Sequence, residues 1–136
     1  KKLPKSIKKR NSNFVNLKNF FSNFPNYFEL PSQQKGLITA WLAYPIIIKN
    51  GVKLNRQKLQ IFLEKKGIQT RTIFTGNILR QPIMKKRLYK KVKNAESNSN
   101  NIMRNGVLIG CHHGLNKKDL DYIKKNFSLF MRDHIL

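Results

Sequence analysis

Two short stretches carry the side chains whose chemistry stands out. Arg71 and Arg80 flank a Gly76-Asn77 turn, and Gln81 follows directly. Guanidinium forks bind phosphate or carboxylate bidentately and a glycine lets the backbone come close to a ligand, so this spacing suits an anion. Arginines beside an exposed turn are also common, and on these residues alone an ordinary surface turn is the default. The second stretch, Cys111-His112-His113, offers a thiolate and two imidazoles, all zinc ligands. Successive side chains of an extended segment point to opposite faces, so three in a row do not converge on one ion, and no second ligand cluster completes a tetrahedral site. No metal is expected there; a histidine that packs, or that orients a substrate at a cleft mouth, is. Residues 85–93 interleave Leu88, Tyr89 and Val92 with basic side chains. They read as a solvated connecting segment or as a basic amphipathic helix for nucleic acid or membrane. With no Ser-His-Asp set, paired-carboxylate site or P-loop, no catalytic residue is assigned.

The charge balance is the loudest feature of the composition: 28 Lys+Arg against 6 Asp+Glu give a formal +22. Such a field attracts nucleic acid, an anionic surface or a phosphorylated ligand. The lysine pairs are scattered, and Asn, Ile and Lys abound throughout, so compositional drift accounts for the charge as well as a partner does. A hydrophobic content of 40% with 9 Phe argues against disorder, and 136 residues suit one domain. Cys111 is the single cysteine, which excludes an internal disulfide and suits a reducing cytoplasm. No run approaches the roughly 20 apolar residues of a membrane span, the longest being residues 40–48 with Pro45 inside it. Lys1 is not a start methionine and the opening residues lack an apolar signal core, so the chain is expected to be cut from something longer.

These side chains need elements to hold them. Phe14, Leu17, Phe20, Phe21 and Phe24 recur at helical spacing, predicting a leading helix within residues 1–24 with Lys and Asn opposite and Pro25 as its stop. Residues 27–30 and 40–48 read as strands, the second with Pro45 at an edge or bulge and with Trp41 and Tyr44 in the core. Asn55 caps a helix over residues 56–66 that Gly67 ends. Residues 68–74 alternate as a strand, with Ile68, Thr70, Thr72 and Phe74 on one side. Residues 75–82 form an irregular loop, and 85–101 an exposed segment rich in Lys, Asn and Ser. A strand over 106–110 and a final helix from Lys117, capped by Asn116, complete the chain. The fold expected is α+β: a small, mostly antiparallel sheet with helices packed on one face.

The stretch Gly67-Ile-Gln-Thr-Arg-Thr-Ile-Phe-Thr-Gly-Asn-Ile-Leu-Arg-Gln-Pro82 resembles the region near the C-terminus of the NDP-sugar dehydrases and aminotransferases of the fold-type I PLP family. Its nearest branch is the lipopolysaccharide-type NDP-4-keto-6-deoxyhexose 3-dehydrases. Lys8-Lys-Arg-Asn11, Trp41, Pro45, Gly106-Val-Leu-Ile-Gly-Cys-His-His-Gly-Leu115 and Asp119-Leu-Asp-Tyr122 match in the same order. Departures are Ala43 where glycine is usual, Leu79 where threonine is common, and Asn100-Asn101 where Asp-Arg often stands.

What the resemblance implies is a single C-terminal small domain, residues 1–136, that closes over an active site. The PLP or PMP pocket would belong to a large domain absent here and to a homodimer partner, and any iron–sulfur cluster would lie outside these residues too. The substrate implied is a nucleotide sugar, either losing its C-3 hydroxyl or being transaminated. Arg71, Asn77, Arg80, Gln81, His112 and His113 would lie near substrate or cofactor. Two other readings stay open: a free-standing basic module that binds nucleic acid, and a truncated, inactive homologue.

Overall fold

The computed structural model describes residues 2–90 and 96–135. Helix α1 spans Leu3–Phe21, with a proline in its first turn where the missing N–H costs nothing. Its stripe of Phe14, Leu17 and Phe21 is buried, and Phe20 and Phe24 pack on the rim. Strand β1 is Phe28–Glu29 and β2 is Ala43–Ile48, whose alternate residues Tyr44, Ile46 and Ile48 are buried. Helix α2, Arg56–Lys65, opens at Asn55, which accepts from the Lys58 N–H at 3.0 Å. It closes at Gly67, whose φ of +71° lets Ile68 N–H reach back to the Leu63 carbonyl. Strand β3 is Thr70–Arg71, α3 is Glu96–Asn105, β4 is Gly106–Gly110 and α4 is Lys117–Ile135. Asn116 caps α4 reciprocally: its side chain accepts from Asp119 N–H, and the Asp119 carboxylate accepts from Asn116 N–H.

The four strands lie in the order β1-β2-β4-β3, all antiparallel. Tyr44, Ile46, Val107 and Ile109 face a layer made by α1, α2 and α4. Phe21 is its hub, stacked on Tyr44 with ring centroids 5.3 Å apart and meeting Phe127 edge-on at 4.7 Å. Truncating a buried phenylalanine of this kind costs about 3–5 kcal/mol. The α+β architecture with helices on one face is therefore as expected.

Several local expectations are refined or change. Pro45 lies on a strand that is interior by order, but β1 pairs only Ile47 and Ile48, so at Pro45 β4 alone adjoins and the position is locally an edge, as expected, with no bulge. The predicted strand over 68–74 shrinks to two residues. The chain turns at Phe74, which has φ +46° and is 88% exposed rather than inward. The irregular loop over 75–82 holds one 3-10 turn, Ile78–Arg80, and a second, Pro82–Lys86, follows from its end. The exposed segment predicted over 85–101 is helical from Glu96 onward; Leu88 is fully exposed, and Val92 lies outside the described residues. Finally, the apolar stripe of α1 is interrupted by Asn13, which is 1% exposed.

Candidate functional site

The turn region after β3 is built from inside. Arg71 pairs with Leu108 of β4 and points outward, and its side chain makes no hydrogen bond or ion pair among the described residues. Gly76, with φ +69°, is pressed against Met103 of α3, where a Cβ would fall 2.6 Å from Met103 Cγ. The closeness that glycine allows on its Cβ side is to a helix. Asn77 is 2% exposed and both ends of its amide are engaged: Oδ1 accepts from Leu79 N–H, and Nδ2 donates to Asn100 Oδ1, each at 2.9 Å. Arg80 Nε donates to the same Asn100 oxygen at 3.3 Å, and its Nη2 lies 3.8 Å from the Glu96 carboxylate. Gln81 donates to the Thr75 carbonyl at 3.2 Å. Asn77, Arg80 and Gln81 are thus brought together against α3, but Asn77 is removed from the set of free donors.

The histidines stand at the other end of β4, beyond Gly110, about 14 Å along a strand of this length. Cys111 is fully buried, and burial pushes its thiol from the ordinary 9.0 up to about 11, slightly opposed by Arg10. Burial likewise lifts the Tyr44 phenol to about 12, with the nearby Cys111 adding to it. Asn13 holds this corner in place, donating to the His112 carbonyl at 2.8 Å and the Leu115 carbonyl at 3.3 Å. His112 Nδ1 accepts from Gly114 N–H at 3.2 Å, so the neutral ring carries its proton on Nε2. His113 turns the other way, its Nδ1 accepting from Arg10 at 3.4 Å. Of the two, His112 borders a cleft of about 330 Å3, floored by Ile68 and Ile123 and edged by Gln69, Asp119 and Tyr122. Among the described residues no group of three or more His, Cys, Asp or Glu could hold a metal. No helix there is long and apolar enough to cross a membrane.

Residues 1–128 match the profile of the DegT/DnrJ/EryC1/StrS aminotransferase family. The chain belongs to that family. It is similar to the lipopolysaccharide biosynthesis protein RfbH of Salmonella typhimurium, 32% identical over 124 residues, which cover 91% of this chain and 28% of the relative. The GDP-4-keto-6-deoxy-D-mannose 3-dehydratase of Escherichia coli is 30% identical over 127 residues, 92% of this chain and 31% of that protein. A structure of the E. coli dehydratase with bound hydrated PLP superposes with a TM-score of 0.79, at 29% identity over 92% of this chain and 31% of its own. A Streptococcus pneumoniae sugar aminotransferase structure in its PMP form matches at a TM-score of 0.79 and 14% identity over 97% of this chain and 32% of its own, a likeness of fold alone. The chain thus spans about a third of the length of the relatives it matches.

The fold-type I likeness raises the question of whether these residues could hold PLP themselves. They do not fit it: no described lysine is buried, and none borders the His112 cleft. Sequence reasoning also passed over Asn13, Arg56 and Arg104. For Asn13 there was a signal, because it lies four residues before Leu17 and eight before Phe21, in register with the apolar stripe.

Proposed function

We propose that the protein carrying this chain is a PLP- or PMP-dependent enzyme that acts on an NDP-4-keto-6-deoxysugar in deoxysugar and lipopolysaccharide biosynthesis. The observation that carries the reading is the joint match in sequence and backbone to the E. coli 3-dehydratase across nine-tenths of the chain. That match, at about 30% identity, favours removal of the C-3 hydroxyl over transamination, since the solved sugar aminotransferase above is like this chain in fold alone.

In this reading the chain binds and closes rather than carrying the acid–base step. Arg71 and Arg80 offer exposed guanidinium forks to the anionic substrate, while Asn77 and Gln81 fix the turn that presents them. His112 faces a cleft with its Nε2–H, and His113 is steadied on α1 by Arg10. PLP supplies an electron sink. It is held outside these residues, by a large domain and a homodimer partner, as is any iron–sulfur cluster; the setting is the cytoplasm.

The test is to purify the full-length protein and follow its absorbance as a 4-keto-6-deoxysugar nucleotide is added. A PLP band that the substrate perturbs, and a KM raised about tenfold by Arg71→Gln for loss of one charge-assisted contact, are expected. A protein that purifies without cofactor and takes up none sinks the proposal.

A further inference from the structure

The sequence Asn-Gly occurs twice, at Asn50-Gly51 and Asn105-Gly106, and the fold brings the two asparagines into contact. An asparagine before glycine is prone to lose its side-chain amide. The next backbone nitrogen closes a five-membered ring on the side-chain carbonyl carbon, and glycine has no Cβ to shield that nitrogen or to restrict the chain. Loss requires a nitrogen free to attack, a chain free to bend and an amide nitrogen free to leave.

Asn50-Gly51 meets all of these conditions. It stands exposed in the turn between β2 and α2, Gly51 has φ +81°, and a Cβ built there meets nothing within 4 Å. Among the described residues neither the Gly51 N–H nor Asn50 Nδ2 makes a hydrogen bond. Asn50 Oδ1, in contrast, accepts from Asn105 Nδ2 at 2.9 Å. A donor at that oxygen stands where negative charge gathers as the nitrogen attacks. Lys49 and Lys53 flank the turn, and positive charge favours both a deprotonated nitrogen and an oxyanion. Asn105-Gly106 is held fast instead. Gly106 is buried in β4 opposite Ile47, with a built Cβ only 2.6 Å from the Ile102 carbonyl oxygen. Asn105 Nδ2 is engaged twice, by Asn50 and by Asn101 at 2.7 Å.

We propose that Asn50 is a site of self-catalysed deamidation, with Asn105 as the oxyanion donor. Gly51 N gives up its proton to solvent and bonds to Asn50 Cγ, and the negative charge passes to Oδ1 under the Asn105 N–H. The Cγ–Nδ2 bond then breaks, and Nδ2 takes a proton and leaves as ammonia. Water opens the resulting cyclic imide at either carbonyl, giving aspartate or isoaspartate at position 50. Each product adds a carboxylate to a chain that has only 6.

The test is to incubate the folded full-length protein in oxygen-18 water at mildly alkaline pH and map the label by peptide mass spectrometry. Label is expected at position 50 more than about tenfold faster than at position 105, and ion exchange should show an acidic form accumulating at the same rate. Asn105→Ala, and Asn105→Asp, which keeps the size but offers no N–H, should each slow labelling of position 50 about tenfold, for one lost hydrogen bond in the transition state. Circular dichroism checks that both variants fold, and the ratio between positions 50 and 105 in the unmodified sequence needs no variant. No label at position 50, or equal labelling of both positions, overturns the site. An unchanged or faster rate in both folded variants overturns the role of Asn105.

Discussion

Asn13→Asp replaces one atom at the point where α1 holds the start of the β4–α4 connection. Asn13 is 1% exposed, and its Nδ2 donates to the carbonyls of His112 and Leu115. Asn13→Ala removes two hydrogen bonds, about 1 kcal/mol each, so about 2 kcal/mol in all. Asn13→Asp removes the same bonds and turns a buried carboxylate onto two carbonyl oxygens, for a total of about 4 kcal/mol at neutral pH. Against a typical domain stability of about 5–15 kcal/mol this is a large loss. Burial and the facing carbonyls raise the folded-state pKa of the introduced carboxyl above its unfolded value of about 3.9. The folded state then binds its proton first, so the excess loss is full above the folded pKa and shrinks as pH falls toward about 4, approaching the alanine level. Trp41, the single tryptophan, stacks on Phe14 at 4.2 Å and reports the corner directly. With a urea slope of about 2 kcal/mol/M, the midpoint drops by about 1 M for Asn13→Ala and about 2 M for Asn13→Asp at pH 7. If Asn13→Asp matches the wild type, or its deficit does not narrow from pH 7 to pH 4.5, Asn13 does not hold this corner.

Gly76→Ala puts a Cβ into Met103 at a backbone φ of +69°, so overpacking and strain together cost about 2–4 kcal/mol, and urea denaturation should show it. Asn116→Ala removes the cap of α4 and one arm of its reciprocal pair, lowering stability by about 1 kcal/mol in the same assay. The Cys111 thiol, raised from 9.0 to about 11, gives stability that is complete below the unfolded value and is lost progressively as pH rises toward about 11. A thiol reagent at pH 8 should therefore label Cys111 no faster than the chain unfolds; rapid labelling of the folded protein would contradict its burial.

The large elements were legible because apolar periodicity and capping residues agree on them. Phe14, Leu17 and Phe21 on one stripe, Asn55 before α2, Gly67 after it and Asn116 before α4 each had a local cause, and each stands as read. Helix α3 was not legible, since Glu-Ser-Asn-Ser-Asn-Asn is a poor helix sequence by propensity. Its support is tertiary: Asn77 and Arg80 on Asn100, Arg56 on the Met103 carbonyl, and Gly76 against the Met103 side chain. The end of the 68–74 strand failed for the mirror reason. Alternation continued through Phe74, but β4 offers partners only to Thr70 and Arg71 before the chain turns. The turn itself was found as a motif, and its roles were partly inverted: Gly76 and Asn77 serve the scaffold, and only the arginines keep free donors.

The abundance of Asn and the surplus of Lys and Arg have one electrostatic consequence. Where a polar side chain must join two elements, this chain repeatedly uses an amide: Asn13 on two carbonyls, Asn77 on Asn100, Asn105 on both Asn50 and Asn101. Amides satisfy buried backbone and side-chain groups without adding negative charge, so these junctions leave the positive field uncompensated. Ion pairs offset little of it, since Arg80–Glu96, Lys124–Asp121 and Arg132–Asp133 are exposed in at least one partner, and the last two link near neighbours in sequence. Arg80 is the clearest case: its strongest tether, Asn100, orients the guanidinium without neutralising it. A side chain positioned in this way keeps its full charge for an incoming anion, which an aspartate at the same place would have diminished.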